Sequence, residues 1–169
     1  FYCRFMNSRS GVIADRIGDA VCAFDAIALN TTGQQTVCGR RFDVFRNYDV
    51  VVNVINFASD QWYTDFQPAD RYPGRMSDEE RDSFADRCEA TVTIPKGTWT
   101  IAVASDDGRL LTLDNVTFFR KDLNTLQGAL DNSSTFGFAD TTGRTHSMAR
   151  FTVSDDYITT RMTLVHFDG

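Results

Sequence analysis

Along much of the chain apolar and polar residues alternate with a period of two, the pattern of strands buried on one face. Within residues 84–94, Phe84, Cys88, Ala90, Val92 and Ile94 fall on one side and Arg87, Glu89, Thr91 and Thr93 on the other. Pro95, Lys96 and Gly97 read as a turn, with proline fixing φ and glycine accepting a positive φ. Residues 98–104 then set Trp99, Ile101 and Val103 together, so the two runs predict a β-hairpin. Four turn formers, Ser105, Asp106, Asp107 and Gly108, end the second run. Short strands are predicted over 110–113 and 116–119, on either side of a turn at Asp114 and Asn115. Residues 150–153 precede a turn at Asp155 and Asp156, and 158–167 predict a long strand with Ile158, Met162 and Leu164 on one face. Residues 49–57 are nearly continuous in β-branched side chains and predict a strand covered on both faces.

Two long irregular stretches separate these runs. The first, 58–76, holds Trp62, Tyr63, Phe66 and Tyr72 among turn residues, and Ser77 with Glu80 beyond it resembles a capping box for a helical turn or two. The second, 123–147, is rich in Asn, Ser, Thr and Gly. Loops of this length in a compact domain are generally functional or disordered. Near the N-terminus Ile13, Ile17, Val21 and Phe24 form a helical stripe, and 20–29 has good helix propensity. The same residues also fit a strand with Ala20, Cys22 and Phe24 inward, and the helix is preferred. No internal repeat is evident.

The length of 169 residues suits one domain, with residues 1–45 as an extension to it. Fourteen Phe against two Trp and five Tyr point to an aromatic core, as suits sheets packed face to face. A net charge of −6 without a run of Lys or Arg argues against a nucleic-acid phosphate partner. No apolar stretch approaches the roughly 20 residues that cross a bilayer as a helix, so membrane insertion is not expected. The sequence starts without Met and has no signal-peptide pattern, so it reads as a processed product or a piece of something longer. Four cysteines, Cys3, Cys22, Cys38 and Cys88, lack zinc-type spacing. In an exported protein they imply two disulfides with three possible connectivities; in a cytosolic one, four buried thiols. Asn30, Asn115 and Asn132 each open an N-x-Ser/Thr sequon.

From Asp82 to Phe118 the chain reads DSFADRCEATVTIPKGTWTIAVASDDGRLLTLDNVTF, which resembles the centre of a PA14 domain. Gly97, Trp99, Thr100 and Ile101, then Ser105 to Gly108, Arg109 and Leu110, follow that family's pattern in order, and residues 150–169 are similar to its closing strands. The resemblance covers 82–119 and 150–169 and is loose over 1–75. It implies an all-β antiparallel sandwich with long loops, here with a short N-terminal helix. Asn115 stands where the family often has Gly, and the family's usual last strand would have to be supplied otherwise, for instance by the N-terminal segment.

In the sugar-binding branches of the PA14 family the Asp pair chelates calcium, and the ion binds sugar hydroxyls. The resemblance carries this role to Asp106 and Asp107 alone. Further ligands would come from a later loop, where Asn132 and Asp140 stand. Calcium takes six to eight oxygens, so paired carboxylates at a loop tip suit it. The competing reading is a turn held by side-chain hydrogen bonds to the backbone. Trp62, Tyr63 and Phe136 are candidates to stack on sugar rings, or else they seat loops on the core. Asp155 and Asp156 fit a solvated turn. His146 lies in a polar loop, and His166, alternating with Met162 and Leu164, is expected near a strand end at the rim. No GxSxG, HExxH or Cys–His signature accompanies them, so no enzyme is expected. The chain reads as a secreted or cell-surface module for glycans or other surface components. The alternative is a structural or assembly domain whose open sheet edge is completed by a protein partner.

Overall fold

The computed structural model of the protein describes residues 1–8, 16–58, 70–71 and 84–168. Among these residues it is an all-β fold with one α-helix. Its strands are β1 (Tyr2–Ser8), β2 (Gly33–Val37), β3 (Arg40–Val51), β4 (Phe57–Ala58), β5 (Asp70–Arg71), β6 (Phe84–Ser105), β7 (Arg109–Leu113), β8 (Arg120–Asp122), β9 (Thr135–Phe138) and β10 (Thr145–Asp168), with α1 (Ile17–Ala26) after β1. Eight of them form one antiparallel sheet in the order β2-β3-β1-β6-β10-β7-β9, with β8 also on β10, while β4 and β5 form a short parallel pair. β1 lies inside the sheet between β3 and β6, so residues within the expected N-terminal extension are integral to the fold.

The expected hairpin at 95–97 is corrected. β6 runs straight through Pro95, Lys96 and Gly97, because both of its halves pair with β10: 84–95 with 157–168, and 97–105 with 145–153. Lys96 alone faces Ser154, Asp155 and Asp156, so the expected acidic turn is a bulge in β10. A bulge bends and twists the strand that carries it. Trp99 Nε1 donates to the Pro95 carbonyl at 2.9 Å across the same bend. The long ribbon curls over, and Phe151 of its far half meets Phe118, which in turn meets Phe136 of β9, with ring centroids 5.8 and 5.2 Å apart. Cys3, Phe5, Cys88, Leu111, Leu113, Phe136, Phe151 and Leu164 fill the space between the two layers.

The opposite face of the sheet is covered by α1, whose Ile17, Ala20, Ala23 and Phe24 recur at helical spacing and pack on Met6, Ala85, Leu110, Val165 and Phe167. Arg4 of β1 secures the helix C-terminus. Its Nη1 donates to the Phe24 carbonyl at 3.1 Å, its Nη2 to that of Ile27 at 2.5 Å, and its Nε to Asn47 Oδ1 at 2.8 Å. A cation at this end satisfies carbonyls that the helix leaves unpaired.

Two disulfides complete the frame. Cys3 and Cys88 join directly opposed residues of β1 and β6, and Cys22 of α1 joins Cys38 at the β2–β3 turn. Three further expectations are corrected. β3 ends at Val51, and residues 52–56 lie outside any strand, with Val51 and Val54 exposed. Residues 116–118 belong to no strand ladder, and the next ladder is β8 (Arg120–Asp122). The 123–147 stretch contains β9 and a short 3-10 helix (Gly128–Leu130).

Candidate functional site

The 105–108 turn joins the end of β6 to the start of β7 and is held by several of its own hydrogen bonds. Ser105 Oγ donates to the Asp107 carbonyl at 2.9 Å. Asp106 Oδ1 accepts the Asp107 amide at 3.0 Å, a carboxylate replacing a backbone turn bond. Asp107 takes the left-handed conformation, φ 57°, which Asp tolerates better than most residues. The neighbouring loop is stitched to it twice: the Asp107 amide donates to the Thr142 carbonyl at 3.1 Å, and the Thr142 amide donates to Asp107 Oδ1 at 2.9 Å. Gly108 is required by packing, since a Cβ there would lie 2.2 Å from Cε1 of Phe167.

Two buried basic side chains, His166 and Arg109, support the turn. His166 Nε2 stands 2.7 Å from the Asp106 carbonyl, and its Nδ1 stands 2.8 Å from Asp86 Oδ1. Arg109 is fully buried and donates to Ser105 Oγ at 3.1 Å, Ser147 Oγ at 3.1 Å and the Asp107 carbonyl at 3.4 Å, with the Phe138 ring against its guanidinium. Its Nη2 has no hydrogen-bond partner, and no carboxylate pairs with it among the described residues. Burial pushes its pKa down to about 10. For His166 burial opposes the charge, but the Asp86 carboxylate and the Asp106 carbonyl outweigh it, and the pKa is raised. His166 stands two residues from the end of β10, near a strand end as expected, but it is buried.

The carboxylates of the turn differ. Asp107 is buried, 7% exposed, whereas Asp106 is exposed, and its Oδ2 has no partner among the described residues. Asp140 precedes Thr142 by two residues on the stitched loop, and its Oδ1 pairs with Arg16 at 3.3 Å. Asn132 is elsewhere. β7 and β9 run antiparallel; Asp107 precedes β7 and Asp140 follows β9, while Asn132 precedes β9. Asn132 thus sits at the far end of a five-residue strand, roughly 17 Å away, and cannot share an ion with Asp106 and Asp107. Its Oδ1 instead accepts the Ser134 amide at 2.9 Å. Phe136 is corrected likewise: at 0% exposure, edge-on to Phe118, it is core and reaches no ligand. Trp62 and Tyr63 lie outside the described residues. His146, expected in a polar loop, is exposed on β10 opposite Ala104, and no group of three His, Cys, Asp or Glu that could hold a metal occurs among the described residues.

Sequence reasoning missed Arg109, Thr142 and the Asp86–His166 pair. A signal for two of them was present: Arg109 opens a strand dominated by leucine, and His166 interrupts the apolar run from Leu164 to Phe167. Asp86 and His166, 80 positions apart, had no local signal to join them. Comparison with family models, curated proteins and solved structures finds no match to this chain. The likeness to PA14 domains accordingly stands on the residues quoted above.

Proposed function

We propose that the chain is an extracytoplasmic, non-enzymatic recognition module that binds glycans or other cell-surface components through the 105–108 turn, with calcium held by Asp106 and Asp107. Two disulfides support an oxidising compartment. No helix among the described residues is long and apolar enough to cross a membrane. The observation that carries the reading is the exposed Asp106 carboxylate on a turn whose backbone is fixed by Thr142, His166 and Arg109. A rigid support with a free hard-oxygen donor is what a cation site requires. Asp106 would offer calcium its exposed carboxylate and Asp107 a buried one that already accepts the Thr142 amide, with the remaining oxygens from backbone carbonyls, water and the sugar itself. Calcium would supply electrostatic attraction for hydroxyl oxygens; the turn would orient it.

A second reading, a structural or assembly domain without a ligand of its own, is favoured by Asp107, whose buried carboxylate already accepts the Thr142 amide. Retention on an immobilised glycan panel, with calcium and with chelator, separates the two. Retention that is lost in chelator and in Asp106→Asn supports the first. Absence of retention with concentration-dependent oligomers supports the second.

A further inference from the structure

The three sequon asparagines differ from Asn47 and Asn124, whose side-chain amides are engaged. Asn47 is buried and donates through Nδ2 to the carbonyls of Ala28 and Thr31, at 2.8 and 3.2 Å. Asn124 donates through Nδ2 to Asp131 Oδ1 at 3.1 Å. Asn30, Asn115 and Asn132 are all exposed in turns or loops, and none uses its Nδ2 among the described residues. A group attached at that nitrogen would therefore break no hydrogen bond and enter no packed space.

Two of the three are neighbours. Asn115 follows the end of β7 and Asn132 precedes the start of β9, so the antiparallel pairing of these strands brings both to one pole. The two loops are joined there. Ser134 Oγ donates to the Val116 carbonyl at 2.7 Å, the Phe118 amide to the Ser133 carbonyl at 2.8 Å, and the Leu113 amide to the Ser134 carbonyl at 3.1 Å. The 105–108 turn lies at the other pole of the same strands.

We propose that Asn115 and Asn132 form a paired N-glycan acceptor site that covers the pole opposite Asp106. The inference rests on the extracytoplasmic part of the reading above and on no ligand of the turn. In the modification, Nδ2 forms a bond to the anomeric carbon of an oligosaccharide carried on a polyprenyl pyrophosphate. The bond from that carbon to the pyrophosphate oxygen breaks, the pyrophosphate leaves with the electron pair, and the amide proton passes to a base. Two bulky, hydrated chains on adjoining loops close that pole to protein contact and leave the Asp106 pole as the open end.

The test is intact mass of the full chain secreted by cells that N-glycosylate, before and after enzymatic removal of N-glycans. Asn115→Gln and Asn132→Gln should each remove one glycan from the wild-type mass, and the double variant two. Thr117→Ala should remove the same glycan as Asn115→Gln while leaving Asn115 in place, and melting of the deglycosylated proteins should be unchanged. Either single Asn variant matching the wild-type mass overturns the proposal. Because this readout uses no sugar ligand or calcium, a failure of glycan retention with the expected masses counts against the binding reading alone.

Discussion

His166 and Asp86 face each other across β10 and β6, with Nδ1 2.8 Å from Oδ1, while the other ring nitrogen meets the Asp106 carbonyl at 2.7 Å. A carboxylate and a carbonyl both accept hydrogen bonds, so this pairing favours the protonated ring, the direction in which the His166 pKa is shifted. The buried pair ties β6, β10 and the 105–108 turn together.

The raised pKa of His166 sets a pH dependence. A group with a folded pKa above its unfolded value, about 6.5 for His, contributes its stability in full below that pH. The contribution is lost as pH rises through the folded pKa. In chelator, the melting temperature of the wild type should fall as pH rises from about 6.5 into the alkaline range. His166→Gln should remove that slope and cost about 3–5 kcal/mol, because Asp86 is left buried without its cation. A wild-type slope retained in the variant would assign the titration to another group.

Arg109 should behave differently. Its acceptors keep other bonds: Ser105 Oγ still donates to the Asp107 carbonyl, and Ser147 Oγ still donates to the Leu123 carbonyl at 2.8 Å. Its charge is buried without a carboxylate, and apolar replacement of buried ionic groups is often neutral or stabilising. Arg109→Met should therefore cost less than about 1.5 kcal/mol by urea unfolding, well below His166→Gln. A larger loss would mean that the guanidinium itself holds the layers together.

The two close-packed glycines should rank by what their missing Cβ would meet. At Gly108 it is the edge of the Phe167 ring, a side chain able to shift, and Gly108→Ala should cost about 1–3 kcal/mol. At Gly137 it is the Arg109 carbonyl oxygen, 2.0 Å away and part of the β7–β9 ladder. Gly137→Ala should cost more, and denaturant midpoints of the two variants check the order.

Disulfide removal should follow loop size. Cys3–Cys88 spans 85 positions and Cys22–Cys38 spans 16. On the chain-entropy account these contribute about 4.6 and about 3.1 kcal/mol. Replacing the first pair by Ala should lower the melting temperature further than replacing the second, and the reverse order would show local strain or residual structure in control.

How far the sequence was legible depends on what each pattern reports. Alternation located the 158–167 half of β10, and helical spacing located α1, because burial of one face imposes those periods; β7 was read from its apolar run after the turn. Val116 and Phe118 alternate and are buried, yet make no ladder; the pattern reports burial and not strand pairing. Pro95 and Gly97 read as a reversal because turn chemistry is local, whereas the partner that keeps the strand going, β10, lies some sixty residues later. β9 escaped notice because its Gly137, a turn signal by itself, is there to admit the Arg109 backbone. Within the site, Asp106 and Asp107 were visible as a motif. The contacts that Asp86, Thr142 and His166 make with the turn or with each other were not, since each is adjacent only in space.

The most direct test of the binding account is thermal melting at saturating calcium and in chelator, on wild type and Asp106→Asn. Asn keeps an oxygen to accept the Asp107 amide and removes the charge, so the turn itself should survive. A ligand at about 100 times its dissociation constant stabilises a fold by roughly 2.7 kcal/mol, which is a shift of several degrees for a domain of this size. That shift in wild type and its loss in the variant is the expected result. Equal melting of the wild type with calcium and with chelator would contradict the site and leave the turn as structure alone.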